Sequence, residues 1–458
     1  MHHSVDNYTY LTKGPLHKVI ITMALPTMVS MLVTGFYNIV DTYFVGQLST
    51  QDTAAVGIVF SLMFLIQAVG FFFGHGSGNY ISRELGAQHQ EKACVMASTG
   101  FFYSFCFGIL ITLFGELLRI PLAHFLGSTP TTLPYILNFM TIILIGAPFV
   151  TSSLTLNNQM RLQGNATYAM YGIITGVVVT IVLDPFFIFT LGMGIRGAAI
   201  ATVIGQITSW GILLFMTHSG ENIGIQLNNI KISYKAMKEI FLGGSPSLMR
   251  QGLASIATMM LNVAASHYGD SAIAAISIVT RICMLIFAAV IGWGQGFQPV
   301  CGFCYGAKLY RRLTDAFKFT VVIGTSFLII CSVIGLFFSS SLIGIFRDDP
   351  KVIKIGVVAL RCQMIVLPLN AFILVSNMMA QTCRKPWRAN TLAAARQGLF
   401  FIPLIIILPQ ICGLSGVEMC QSVSDFLAFI LTIPIIIYTF RELRYEDIAL
   451  TKLSLIHI

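Results

Sequence analysis

The sequence predicts an all-α integral membrane protein of twelve transmembrane helices in two pseudo-symmetric six-helix bundles. Three observations carry that expectation. Apolar residues make up 56% of the 458-residue chain and charged residues only 10%, where a soluble domain carries about 25% charged residues. Apolar runs long enough to cross a bilayer recur twelve times. The second six echo the first six. At this length a soluble chain would divide into about three domains, but here the bilayer takes the place of a globular core.

About 20 apolar residues cross the hydrocarbon core as a helix. That length places spans at about 16–46, 54–79, 95–118, 133–157, 168–190, 197–217, 240–267, 272–300, 316–338, 353–380, 391–410 and 415–440. Only helices fit, because an open strand leaves its backbone polar groups unsatisfied in lipid. Residues 1–14 are polar, and no small-residue cleavage site follows the first apolar run, so no cleavable signal peptide is expected.

Lysines and arginines set the orientation. Eighteen of them, among them Lys13, Arg83, Arg161, Lys231, Arg311, Arg384 and Arg444, fall on the side of the N-terminus. Only five (Arg119, Arg196, Arg347, Lys351 and Lys354) fall on the other. Both termini are therefore expected in the cytoplasm. The net charge of +9 is a topology signal, so no nucleic-acid partner is expected. Membrane lipids and small-molecule substrates are, and the chain is expected to act as a monomer.

The repeat is visible residue by residue. Ala24–Leu25–Pro26–Thr27 matches Gly244–Ser245–Pro246–Ser247, and Ala54–Ala55–Val56–Gly57 matches Ala274–Ala275–Ile276–Ser277, both at the same offset. Gly74–His75–Gly76–Ser77–Gly78 matches Gly292–Trp293–Gly294–Gln295–Gly296, Gly86–Ala87 matches Gly306–Ala307, and Gln163 matches Gln381. Such matches in chain order at nearly one offset mark a duplication. Residues 1–220 are then an N-lobe and 221–239 a cytoplasmic inter-lobe loop. Residues 240–458 are a C-lobe with a cytoplasmic tail. Six spans per copy insert both copies the same way round, as a parallel repeat about the membrane normal. Two facing bundles make a central cleft, and rocking them gives alternating access.

No phosphate-cradling GxxxxGK[ST] run is present, and Gly74–Gly78 lies inside a span with no strand before it. Close helix packing is its expected role. The energy source must then be an ion gradient or the substrate's own. Ten cysteines lie scattered along apolar segments; Cys301 and Cys304 are spaced as a metal or redox pair, but nothing nearby completes a site. They read as packing residues.

An acid inside an apolar span is costly and marks a functional candidate. Asp41 lies near the outer end of the first span and Asp184 near the outer end of the fifth, at similar depth. At helical spacing Thr34, Tyr37, Asn38 and Asp41 share a face, as do Thr180 and Asp184. Thr202 and Gln206 add a polar pair on the sixth span. Two carboxyls in such a pocket can exchange a proton or hold Na⁺ with the neighbouring oxygens. The second half carries Leu261 opposite Asp41. Its buried charges are basic (Arg250, Arg281, Arg361 and Arg396), with Asp425 the one deep acid. Pairing of one arginine with Asp425 is the structural reading; contact with an anionic substrate group is the functional one. Of the prolines within spans, Pro26 is the expected moving part, since it shares a helix with Asp41.

At this point the segments ALPTMVSMLVTGFYNIVDTYFVGQL, QMRLQGNAT and VLDPFFIF resemble the MATE (multidrug and toxic compound extrusion) family in its DinF-like branch. GQGFQPVCGFCYGAK, LPLNAFILVSNMMAQ and ARQGLFFIPLIIILP resemble its bacterial MepA-type members. The likeness runs over about residues 14–445. It implies a MATE/MOP-type fold and export of organic, commonly cationic compounds coupled to H⁺ or Na⁺, with no other cofactor and no enzymatic step. The coupling site it implies lies at Asp41 and Asp184, with Thr202 nearby, Asn157 as a cavity residue and Pro26 as the bending point. Among the departures from the pattern are three positions. Thr180 stands where many relatives have Asn. Ser255 and Asn370 stand where another branch has acids, which argues against a C-lobe cation site. A lipid-linked precursor flippase of the same superfamily is the alternative expectation.

Overall fold

A computed structural model of the chain describes residues 7–220 and 222–456. Among the described residues it is helical throughout, without strands. A short helix, α1 (Asn7–Lys13), precedes the first bundle: α2 (Leu16–Gly46), α3 (Thr50–Gly86), α4 (Gln90–Leu117), α5 (Arg119–Phe125), α6 (Leu133–Leu162), α7 (Ala166–Pro185) and α8 (Ile195–Met216). The second bundle holds α9 (Tyr234–Ser266), α10 (Asp270–Gly306), α11 (Tyr310–Phe337), α12 (Ser339–Phe346) and α13 (Pro350–Val366). It closes with α14 (Leu369–Thr382), α15 (Pro386–Ala394), α16 (Phe401–Cys412) and α17 (Leu414–Ile456). The short helices α5 and α12 open at Arg119 and Ser339, equivalent places in the repeat.

Local chemistry sets several boundaries. Ser49 and Asp52 form a reciprocal cap at the start of α3, the Ser49 hydroxyl accepting from Asp52 N at 3.1 Å. Ser233 caps α9 from one side only, its hydroxyl accepting from Ala236 N at 3.2 Å. Gly413, at φ +60°, makes the left-handed turn that separates α16 from α17.

The twelve expected spans are all found as helical rods, with three differences. Among the described residues ten helices are long and apolar enough to cross a bilayer, and α13 with α14 supplies an eleventh that is bent by 56°. The bend falls at Pro368, which lacks the N–H that would continue the ladder. The seventh expected span, α9, is a continuous helix but falls short in hydropathy. Glu239, Ser245, Ser247 and Arg250 make it polar: Glu239 and Ser247 meet Arg83 and His75 of the other bundle, while Ser245 and Arg250 bond Asn390 and Asn377 of their own. The twelfth rod is longer than the apolar run alone: α17 continues to Ile456, tied by Asp447 to Arg311 at 3.0 Å.

The bundles meet along two equivalent seams, α3 against α9 and α10 against α2. Both glycine-rich segments lie here. Gly76 abuts the backbone of Ile240 and Gly244 that of Phe72, while Gly292 and Gly296 abut the backbones of Met28 and Ala24. A Cβ at any of these would strike main chain, so glycine permits the approach. Gly86 against Phe303 and Gly306 against Arg83 extend the closure to the end that carries the basic loops. Toward the opposite end Phe36, Ile39 and Tyr43 of α2 and Met259 and Val263 of α9 are exposed.

Two residues that look like loop charges in the sequence are buried at this closure. Arg161 is the largest fully buried side chain among the described residues, and Arg83 is also buried. A charge within a turn of a span end reads as a loop residue from sequence, because only the neighbouring bundle decides whether it meets water. Cys301 is likewise buried, and the sulfur it faces is that of Cys383, 3.7 Å away, rather than that of Cys304.

Candidate functional site

The buried face of α7 is a stripe at four-residue spacing: Gly172, Gly176, Thr180 and Asp184. Its glycines let α8 approach closely. The Thr180 side chain fills the space where Gly205 of α8 would carry a Cβ, and its hydroxyl donates to the Gly176 carbonyl at 3.0 Å. One turn further along the stripe stands Asp184. It is fully buried, and neither carboxylate oxygen has a hydrogen-bond partner among the described residues. An ionised carboxylate left so is expensive. Directly after it comes Pro185, and the helix then widens into a π-helical segment, Phe186–Thr190. Such widened turns frequently mark functional sites.

From α2 comes Tyr37, whose hydroxyl is 3.3 Å from Thr202 Oγ1 on α8, joining the two helices beside Asp184. Asp41, one turn beyond Tyr37, is half-buried and lies within electrostatic reach of both Tyr37 and Asp184. Asn38 and Gln206 are half-buried on adjacent turns of α2 and α8. The Thr34 hydroxyl turns back to the Ser30 carbonyl at 2.8 Å. The arrangement is an all-oxygen set of two carboxyls and three hydroxyls, suited to a proton or a hard monovalent cation.

Asn157 lies apart from this set. Its side chain donates to the Ala169 carbonyl at 2.8 Å, and Ala169 is about 22 Å from Asp184 along α7 at 1.5 Å per residue. Pro26 also lies about 22 Å from Asp41 by the same rise. It sits between Ala24 and Met28, the two α2 positions that Gly296 and Gly292 press against.

The second bundle holds a different polar centre. Arg396, on the π-helical segment Ala395–Phe400, pairs with Asp425 through Nε–Oδ1 at 2.7 Å and Nη2–Oδ2 at 3.2 Å. Asn370 and Gln421 complete the carboxylate's partners at 2.9 and 2.7 Å, and the guanidinium lies 4.1 Å over the Phe287 ring. Arg250 donates to Asn377 Oδ1 at 2.8 Å, and Arg361 to Ser339 Oγ at 3.0 Å. Arg281 is exposed.

Sequence reasoning missed a third centre, which bridges the bundles. Arg161 of α6 donates to the Gln295 carbonyl at 2.6 Å and Gln298 Oε1 at 3.0 Å, both on α10. On its own side it meets Asn158 Oδ1 at 2.7 Å and His75 Nε2 at 3.2 Å. The signal available was His75, an ionisable residue inside Gly74–Gly78.

The family model MatE matches the chain twice, at residues 26–186 and 246–407. The chain belongs to the MatE family. The two matches open at Pro26 and Pro246, which the internal repeat already pairs. The multidrug export protein MepA of Staphylococcus aureus (strain N315) is 27% identical over 94% of this chain and 96% of its own length. That of Staphylococcus haemolyticus (strain JCSC1435) is 26% identical over 98% of each. Among solved structures, the outward-facing conformation of a multidrug resistance MATE family transporter of the MOP superfamily superposes with a TM-score of 0.89. It is 25% identical and is covered over its whole length by 98% of this chain. This MatE chain is therefore a multi-pass membrane transporter and not an enzyme. The flippase alternative is not favoured: the relatives found along nearly the whole chain are named as drug exporters. Of the four arginines of the second half, Arg396 is paired with Asp425.

Proposed function

We propose that this MatE transporter exports organic compounds of several kinds, commonly cationic or amphiphilic, in exchange for H⁺ or Na⁺ entering the N-terminal bundle. The observation that supports this reading best is Asp184, a fully buried carboxyl with both oxygens unpartnered among the described residues, beside Asp41, Tyr37 and Thr202. A group of that kind is stable only while it carries a proton or faces a cation, and releasing either one loads the bundle with an uncompensated charge. Occupancy at Asp184 can therefore bias which end of the transporter is open, provided drug and cation favour opposite states. Substrate would enter the cleft from the cytoplasm, the side of the basic loops, and Pro26 at the α2–α10 seam would be the point where α2 bends. The names of the MepA relatives support drug export as the direction of transport.

The test is ethidium efflux in vesicles with pH and Na⁺ gradients imposed separately. Asp184→Asn and Asp41→Asn should each lower gradient-driven efflux at least about tenfold, while the purified protein keeps its melting temperature. Efflux at the wild-type rate in both variants would refute the coupling assignment. Response to one gradient alone identifies the ion.

A further inference from the structure

His75 lies in the middle of the closure between the bundles, and the hydrogen bonds around it fix its charge state. An arginine N–H can only donate. Arg161 Nη2, 3.2 Å from His75 Nε2, therefore requires a lone pair on that nitrogen. The other ring nitrogen, Nδ1, carries the hydrogen and is shared between the Phe71 carbonyl at 3.2 Å and Ser247 Oγ of α9 at 3.1 Å. Ser247 Oγ in turn accepts from Gln381 Nε2 at 2.8 Å. One neutral imidazole thus sits between α6 of the first bundle and α9 of the second. It is 1% exposed, stacked on Phe71 at 5.6 Å between centroids.

We propose that His75 is an acid-labile fastener of the basic end, whose protonation releases the two bundles from one another. The added proton must go to Nε2, where it meets the Arg161 N–H head-on and removes the acceptor. The surroundings offer no compensation. From α6 comes the Arg161 cation, from α9 the Arg250 cation, and from α10 and α14 only the neutral Gln295, Gln298 and Gln381. Among the described residues no carboxylate from these helices, or from α2 or α4, bears on the ring. The closed arrangement is thus compatible with neutral His75 only. With the bundles parted the ring is free to meet water and carry its charge. By linkage, acid shifts the equilibrium toward the state open at the basic end. In the exchange proposed above, which this inference extends, that is the state that loads substrate. Acidification of that side would raise the share of transporters ready to load.

The test uses the full-length protein in nanodiscs. Spin labels sit at Gln88→Cys and Lys308→Cys, exposed positions on either side of the closure, with accessible native cysteines replaced. Lowering the pH from 8 to 5.5 should raise the separated population about tenfold. His75→Gln keeps an oxygen to accept from Arg161 and no group that titrates, and should hold the rise below about twofold. If it does not fold, His75→Asn serves the same purpose. An unchanged response in either variant overturns the proposal, as does absence of a response in the wild-type background. The double variant Asp41→Asn/Asp184→Asn should retain the response, and its loss there would assign the effect to the carboxyls instead. The converse separates the two readings: efflux insensitive to Asp41→Asn removes the coupling assignment and leaves the fastener standing.

Discussion

Asn157 Nδ2 donates to the Ala169 carbonyl at 2.8 Å, and at the equivalent place in the second half Asn377 Nδ2 donates to the Ala389 carbonyl at 2.7 Å. The two ties join α6 to α7 and α14 to α15, and both asparagines are buried. Replacing either by Ala removes a buried interhelical hydrogen bond, at a cost of about 0.5–1.5 kcal/mol. The two single variants should lower the melting temperature by similar amounts. The Asn377 variant should lose somewhat more, because Arg250 also donates to that side chain.

Asp184→Asn is expected to fold at least as well as the parent. The carboxylate has no partner whose loss would be felt among the described residues, and a neutral amide removes the cost of a buried charge. A melt at pH 8 that is unchanged or higher, together with lost efflux, is the expected pair of results. A marked fall in melting temperature would instead make Asp184 a structural residue.

Removing the arginine of the Arg396–Asp425 pair should cost about 3–5 kcal/mol, because the remaining carboxylate stays buried. Asp425 is 3% exposed and has three partner side chains. Arg396→Met combined with Asp425→Leu should recover much of the loss seen in Arg396→Met alone. Thermal melts of the single and double variants form the cycle that tests it.

Gly292→Val should part the bundles at the basic end. A Cβ there would stand 2.5 Å from the Met28 Cα, too close for any side chain, and the obstacle is main chain that cannot rotate away. The seam would have to open along α2 and α10. Spin labels at Gln88→Cys and Lys308→Cys should report a separated population at pH 8 that the parent lacks.

Tyr37→Phe removes the hydroxyl that meets Thr202, a loss of about 1 kcal/mol. The ring stays, so folding should be retained, while the Kd for the coupling cation should rise several-fold if the hydroxyl belongs to its oxygen shell. Isothermal titration with Na⁺, and proton release at fixed pH, measure this.

Composition and apolar run length were enough to determine an all-helical membrane protein with twelve rods, and the nearly constant offset between matching segments determined its duplication. Both follow from the bilayer, which demands about 20 apolar residues per crossing and so writes each span locally into the chain. Asp41 and Asp184 stood out as candidates for the same reason: a carboxyl in an apolar run is conspicuous wherever it sits. Only tertiary structure decided which polar residues meet. It set Asn157 apart from the acids and joined Tyr37 to Thr202. It chose Arg396 among four arginines as the partner of Asp425, and drew Arg161 from an apparent loop into the closure beside His75. Those pairings run between helices 29 to 165 residues apart in sequence. Helical periodicity fixes the face a side chain occupies on its own rod, and the partner of that face is set by how the rods pack.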